Sequence, residues 1–158
     1  QSGFTSFIVS AGGNIVAGDA PLDGVRSGWG IGIQDPFTAQ EPGGGNSIDV
    51  AYVSNTCVVT SGDYQRFYMV GYRRVHHIID PDTLMPADYY RGVTVITSDS
   101  GIADLASTTL YTLPFERSRA MAEAMGWEVM WIFADGTVEC TDGMLPLLRD
   151  RGGATGLL

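Results

Sequence analysis

The chain has 158 residues, 44% of them hydrophobic and 17% charged, with a formal net charge of -9. Length and composition fit one globular domain with a sizeable core, and the acidic balance argues against nucleic acid, which needs clustered cations to release counterions. All nine basic residues are arginine, which excludes a Schiff-base lysine or a P-loop lysine within the chain.

Taken in order, Phe4 to Val9 reads as a short apolar strand ending in Ser10-Ala11-Gly12-Gly13-Asn14. Adjacent glycines permit positive φ and a close approach to the main chain, so this is either a tight turn into Ile15-Val16-Ala17 or a ligand contact. Asp19 to Ser27 is a polar connection, and Trp29 to Ile33 is a strand with small residues on one face. Phe37 to Ser47, rich in glycine, is predicted as an exposed loop. Ile48 to Val53 and Thr56 to Thr60 are β-rich and separated by the turn-forming Ser54-Asn55, which predicts a hairpin. Phe67 to Val70 and Tyr72 to Val75, flanking Gly71, predict a second one.

His76 and His77 stand at the end of that strand, before Ile78-Ile79-Asp80-Pro81. Histidine at a strand end is either structural or a titratable ring available as a general base. Pro81 and Pro86 bracket a segment that must turn away from the strand. Val93, Val95 and Ile96 form a β-branched run. Behind it Ser98, Asp99 and Ser100 are three successive candidate N-caps for a helix that begins near Gly101.

Asp104 and Thr108 are four apart on that helix, so both project from one face. They read either as a dipole-complementing acid beside an ordinary threonine, or as half a site for a hard cation such as Mg²⁺. Pro114 breaks the helix and restarts it, and Gly126 serves as the C-cap of the second helix. Val129 to Phe133 is an apolar strand, followed by the Asp135-Gly136 turn and Val138 to Cys140. Met144 to Arg149 is at most a short helix, and residues 151–158 are expected to form a flexible tail. Cys57 and Cys140 match no metal spacing and are either paired or free buried thiols. The pattern predicts an α+β fold, an antiparallel sheet built from hairpins with helices packed on one face.

Five segments in fixed order make the chain recognisable: A-G-G-N at Ala11 to Asn14, T-S-G-D-Y at Thr60 to Tyr64, H-H-I-I-D-P at His76 to Pro81, V-T-V-I at Val93 to Ile96, and A-D-L-A-S-T at Ala103 to Thr108. Together they resemble the FAD:protein FMN transferase family, the ApbE-like proteins. The likeness implies a T-fold-like arrangement and an enzyme that binds FAD and Mg²⁺, cleaves the pyrophosphate, and attaches FMN to a threonine or serine of an acceptor protein. It implies metal ligation by Asp104 and Thr108. It further implies a flavin site lined by His77 and the main chain around Ile78 and Ile79, with His77 as candidate base.

Asp80 either orients His77 or caps the turn before Pro81. Many family members have Arg-Thr-Gly after Asp-Pro where this chain has Asp82-Thr83-Leu84, and Ala-Leu after the metal aspartate where it has Leu105-Ala106. Family members are considerably longer, and the resemblance starts in their middle. Residues 1–150 are accordingly expected to be the C-terminal half of a flavin transferase domain. The chain opens on Gln1, and a longer precursor is expected. The resemblance also implies an extracytoplasmic, lipid-anchored whole protein, and a half pocket with exposed apolar surface implies self-association.

Overall fold

Cys57, Val58 and Val59 are consecutive and all buried, the signature of a strand covered on both faces, and the architecture grows from that strand and its neighbour. A computed structural model describes residues 3–43 and 45–158; Gln1, Ser2 and Gly44, the last inside the predicted 37–47 loop, lie outside the described residues. The strands are β1 (Ile8–Ala11), β2 (Asn14–Ala17), β3 (Trp29–Gln34), β4 (Ser47–Val53), β5 (Thr56–Gly62), β6 (Phe67–Val70), β7 (Arg73–His76), β8 (Gly92–Thr97), β9 (Glu128–Ile132) and β10 (Val138–Cys140). The helices are α1 (Ser100–Tyr111), α2 (Phe115–Met125) and the short α3 (Arg149–Gly152). Six strands form one sheet in the order β1-β2-β5-β8-β9-β10, every neighbouring pair antiparallel.

Alternation along β8 and β9 separates the two faces of this sheet. Val93, Val95, Val129 and Trp131 join Ala106, Leu110 and Tyr111 of α1 and Ala122 of α2 in one core. Ile96, Met130 and Ile132 point the other way, into a second core with Ile31 and Ile33 of β3 and Ala51 and Val53 of β4. The sheet thus carries α1 and α2 on one face, as predicted, and the β3–β4 hairpin on the other. The 3-10 turn Leu145–Leu147 and α3 belong to the hairpin side, where Met144 and Leu148 are fully buried.

The predicted hairpin between the fourth and fifth strands does not form. Asn55 does turn the chain, at φ 51, but β4 pairs with β3, while β5 pairs with β2 and β8. The physical reason lies in layering: Val58 of β5 packs against Ala51 and Val53 of β4 across one face, while Cys57 and Val59 pack against Ala103 of α1 on the other, so β4 covers the sheet from the opposing layer and the edges of β5 go to β2 and β8.

Ser118 of α2 joins three elements. Its hydroxyl donates to the Leu110 carbonyl at 3.0 Å and accepts from the Trp131 indole N–H at 2.8 Å, all in the dry interior. Ser118→Ala is expected to cost about 1–3 kcal/mol, because the indole donor is left without a partner. The shift of the urea midpoint measures it, and an unchanged midpoint would show that the indole finds another acceptor.

The expected flexible tail is instead docked. Leu148 bridges Ala51 of β4 and Leu157 bridges Arg26, while Ser27 donates its amide to the Gly156 carbonyl at 2.9 Å and Leu158 donates to Val25 at 2.9 Å. Residues that look like a polar terminus are held by groups more than a hundred positions upstream. Both cysteines are free thiols; burial pushes Cys140 up to about 11.

Candidate functional site

Asp99 fixes where α1 begins, since one carboxylate oxygen accepts the amides of Gly101 and Ile102, each at 2.9 Å. Ser98 and Ser100 do not take that role. The β1–β2 turn lies beside this helix start: Gly12 and Gly13 adopt φ 62 and 96, and Asn14 donates its side-chain amide to the Ser100 carbonyl at 3.2 Å. Of the two readings of the paired glycines, the tight turn is therefore observed.

With its start fixed, α1 buries Ala103, Ala106, Ser107, Leu110 and Tyr111. Asp104 and Thr108 fall on its exposed side, one turn apart and facing the same way. Ser61 of β5 lies against Thr108: its hydroxyl is 3.1 Å from the Thr108 hydroxyl and 2.8 Å from that of Ser107. Ser107 in turn donates to the Asp104 carbonyl at 3.1 Å.

Only one proton ordering puts a hydrogen in every one of these contacts. Ser107 gives its proton to the Asp104 carbonyl, so Ser61 gives its proton to Ser107 and Thr108 gives its proton to Ser61. The lone pairs of the Thr108 oxygen are thereby left for a cation. A carboxylate and such a hydroxyl fit Mg²⁺, which takes one or two protein carboxylates and completes its octahedron with water and phosphate oxygens. The protein's own donor set here is partial, because no group of three or more His, Cys, Asp or Glu suited to a metal occurs among the described residues. Ser61 was not singled out in the sequence; its signal was the T-S-G-D-Y segment, where Gly62 is required because a Cβ there would collide with the Tyr64 ring.

The two histidines separate in role. His76 is buried, donates Nε2–H to the Ala87 carbonyl at 2.8 Å and accepts the Ile78 amide on Nδ1 at 3.3 Å; burial holds its pKa below the ordinary value. It is a structural histidine. His77 is exposed, and its Nδ1 is 3.3 Å from the Arg66 carbonyl. A carbonyl only accepts, so Nδ1 carries the proton and Nε2 is the basic nitrogen.

Ile78 is buried, with its carbonyl accepting the Ala87 amide at 3.0 Å, and Ile79 bridges Pro86 while its side chain stays partly exposed. Asp80 accepts from the Asp82 amide at 2.8 Å and from the Tyr89 hydroxyl at 3.4 Å, so of its two readings it caps the turn. Where many family members have glycine, Leu84 adopts φ 56, a left-handed conformation that costs a branched residue about 1–2 kcal/mol. Asp104 and Thr108 thus form one group and His77, Ile78 and Ile79 another. No hydrogen bond among the described residues joins the two.

The chain is an antiparallel sheet with two helices on one face, the first carrying a carboxylate and a hydroxyl on its exposed side. The ApbE family model matches residues 1–131, and the chain belongs to the ApbE family. It is 36% identical over 153 residues to the FAD:protein FMN transferase of Treponema pallidum, covering 91% of this chain and 41% of that protein. It is 30% identical to one from Klebsiella pneumoniae, covering 86% and 37%. Among solved structures it is similar to the ApbE protein of Thermotoga maritima, with TM-score 0.78, 29% identity, and 90% of this chain and 44% of that one covered. It is also similar to the apo form of the flavinyl transferase ApbE of Pseudomonas stutzeri, with TM-score 0.72, 27% identity, 97% and 46%. The chain spans about two fifths of the length of these curated relatives.

Proposed function

We propose that the whole protein transfers FMN from FAD to a threonine or serine hydroxyl of an acceptor protein, with Mg²⁺ held on this chain by Asp104 and Thr108. The observation that carries the reading is the solvent-facing Asp104 and Thr108 pair, with Ser61 orienting the hydroxyl. The relatives named FAD:protein FMN transferase support the reaction type.

In this reading the acceptor oxygen forms a bond to the FMN phosphorus, the P–O bond to AMP breaks, and AMP leaves. A bound divalent ion would neutralise charge building on the diphosphate. Asp104 supplies the anionic ligand, and Thr108 supplies the neutral oxygen kept available by its proton going to Ser61. His77, through Nε2, takes the proton of the acceptor hydroxyl, which is otherwise a poor nucleophile. The remaining ligands and much of the flavin surface are assigned to the part of the relatives' length that this chain does not span.

The test is to incubate the full-length protein with FAD, Mg²⁺ and an acceptor protein, following AMP by chromatography and the acceptor by intact mass. AMP release with a matching mass gain of one FMN, both abolished by EDTA, is expected. FAD bound at equilibrium with no AMP formed would overturn the transferase reading and leave a flavin-binding module in its place.

A further inference from the structure

Three of the nine arginines, Arg73, Arg74 and Arg91, border one cavity of about 480 Å³ beneath the β6–β7 hairpin. None of Asp104, Thr108, His77, Ile78 and Ile79 borders it, and it adjoins the His77–Ile79 segment through His76, Pro86 and Ala87. In a chain of net charge -9, this concentration of guanidinium groups needs a reason.

Two carboxylates, Asp63 and Asp88, also face the cavity. Asp63 is buried, with its side chain 1% exposed, and divides its oxygens between Arg74 Nη1 at 3.0 Å and Arg91 Nη1 at 2.5 Å. It neutralises one charge and fixes two planar forks at the cavity wall. Arg74 is held further by lying over the Phe67 ring, 4.5 Å from its centroid. His76 adds no positive charge, because both ring nitrogens are engaged as in the neutral tautomer. Arg73 is exposed and makes no ion pair among the described residues. With Asp88 counted against it, the cavity keeps a net positive charge of one unit.

The walls are not only cationic. Phe37, Met69 and Tyr72 border the same space and are more than half exposed. A cavity of this volume accommodates an organic molecule, and a bare ion would leave the apolar wall wet. We propose that this cavity is a binding site for a carboxylate or phosphate carried on an apolar body, with the anion held by the arginine forks and the body lying against Phe37, Met69 and Tyr72. Such a group can come from a free organic anion or from an acidic side chain of a docked polypeptide. The inference does not rest on the transferase reading.

Titration calorimetry of the full-length protein tests it, using phenyl phosphate, inorganic phosphate, and a decapeptide of alternating Asp and Phe against its Asn counterpart. Phenyl phosphate is expected to bind more tightly than inorganic phosphate and to weaken as salt is raised. Arg73→Ala is expected to weaken it about tenfold, as loss of one charge-assisted contact does. Arg117→Ala, an exposed arginine on α2, is expected to leave it unchanged. A preference for the Asp decapeptide over both the Asn form and phenyl phosphate assigns the site to a polypeptide, and the reverse assigns it to a small molecule. No heat with any probe, equal affinity for the two phosphates, or equal effects of the two arginine variants would overturn the proposal. AMP release is not read in this experiment, so its failure is distinguishable from failure of the transferase reading.

Discussion

Asp104→Ala in the full-length protein is expected to lower Mg²⁺-dependent release of AMP from FAD by about a hundredfold to a thousandfold, the scale of several kcal/mol that a metal contributes to phosphoryl chemistry. The same substitution is expected to shift the urea midpoint by less than about 0.5 kcal/mol equivalent, because the side chain is exposed and substitutions at such positions are near neutral. Activity and stability therefore separate, as they would not if Asp104 merely supported the helix. Thr108→Ala should cost less, since a neutral oxygen is replaceable by water. Ser61→Ala should cost less again, about tenfold, as loss of a group that orients a ligand does. The order Asp104, Thr108, Ser61 is the signature of a carboxylate ligand, a hydroxyl ligand and its orienting partner. Raising Mg²⁺ should partly restore the two hydroxyl variants and leave Asp104→Ala low. Undiminished AMP release by Asp104→Ala would remove the ion from this helix face altogether.

The legible part of this chain is the part written locally. Asp99 caps α1 through amides two and three residues away, and the i, i+4 spacing of Asp104 and Thr108 needs only a helix to place them together. Gly126 ends α2 at φ 66, and the Gly12-Gly13 turn follows from two adjacent residues free to take positive φ. Groups joined only by the tertiary fold were invisible. Ser61 meets Thr108 across 47 positions, and Asp63 meets Arg91 across 28, so no window of sequence contains either pair. The misplaced hairpin has the same origin: Ser54-Asn55 does turn the chain, but it carries β4 into the opposing layer, where Ala51 and Val53 pack over Val58 of β5 instead of pairing at its edge. Leu84 shows the converse, a residue of unsuitable type holding a left-handed backbone that its neighbours dictate.

The same distinction governs the second large effect, at Asp49. This carboxylate is fully buried on β4 and accepts the amides of Asp150 at 2.9 Å and Arg151 at 3.2 Å, with the Arg151 guanidinium at 3.0 Å. The N-terminus of α3 is thereby closed by a side chain from the middle of the sequence, where the local helix offers no side-chain cap. Asp49→Ala is expected to cost about 3–5 kcal/mol, the scale for removing one partner of a buried, hydrogen-bonded ion pair. It should also release residues 149–158 from β4. The arginine side chains are exposed already, but the freed backbone around Arg149 and Arg151 can then extend into the protease, and limited trypsin digestion should cut there within minutes while the wild type resists. Asp49→Asn, which keeps one acceptor oxygen for the amides, should fall between. Arg151→Ala should cost less than Asp49→Ala, since the arginine is 30% exposed and water replaces part of what it loses. If Asp49→Ala kept both its urea midpoint and its resistance at Arg149 and Arg151, the docking of this terminus would have to come from burial of Met144 and Leu148 and from the backbone contacts to Ala51, Val25, Arg26 and Ser27.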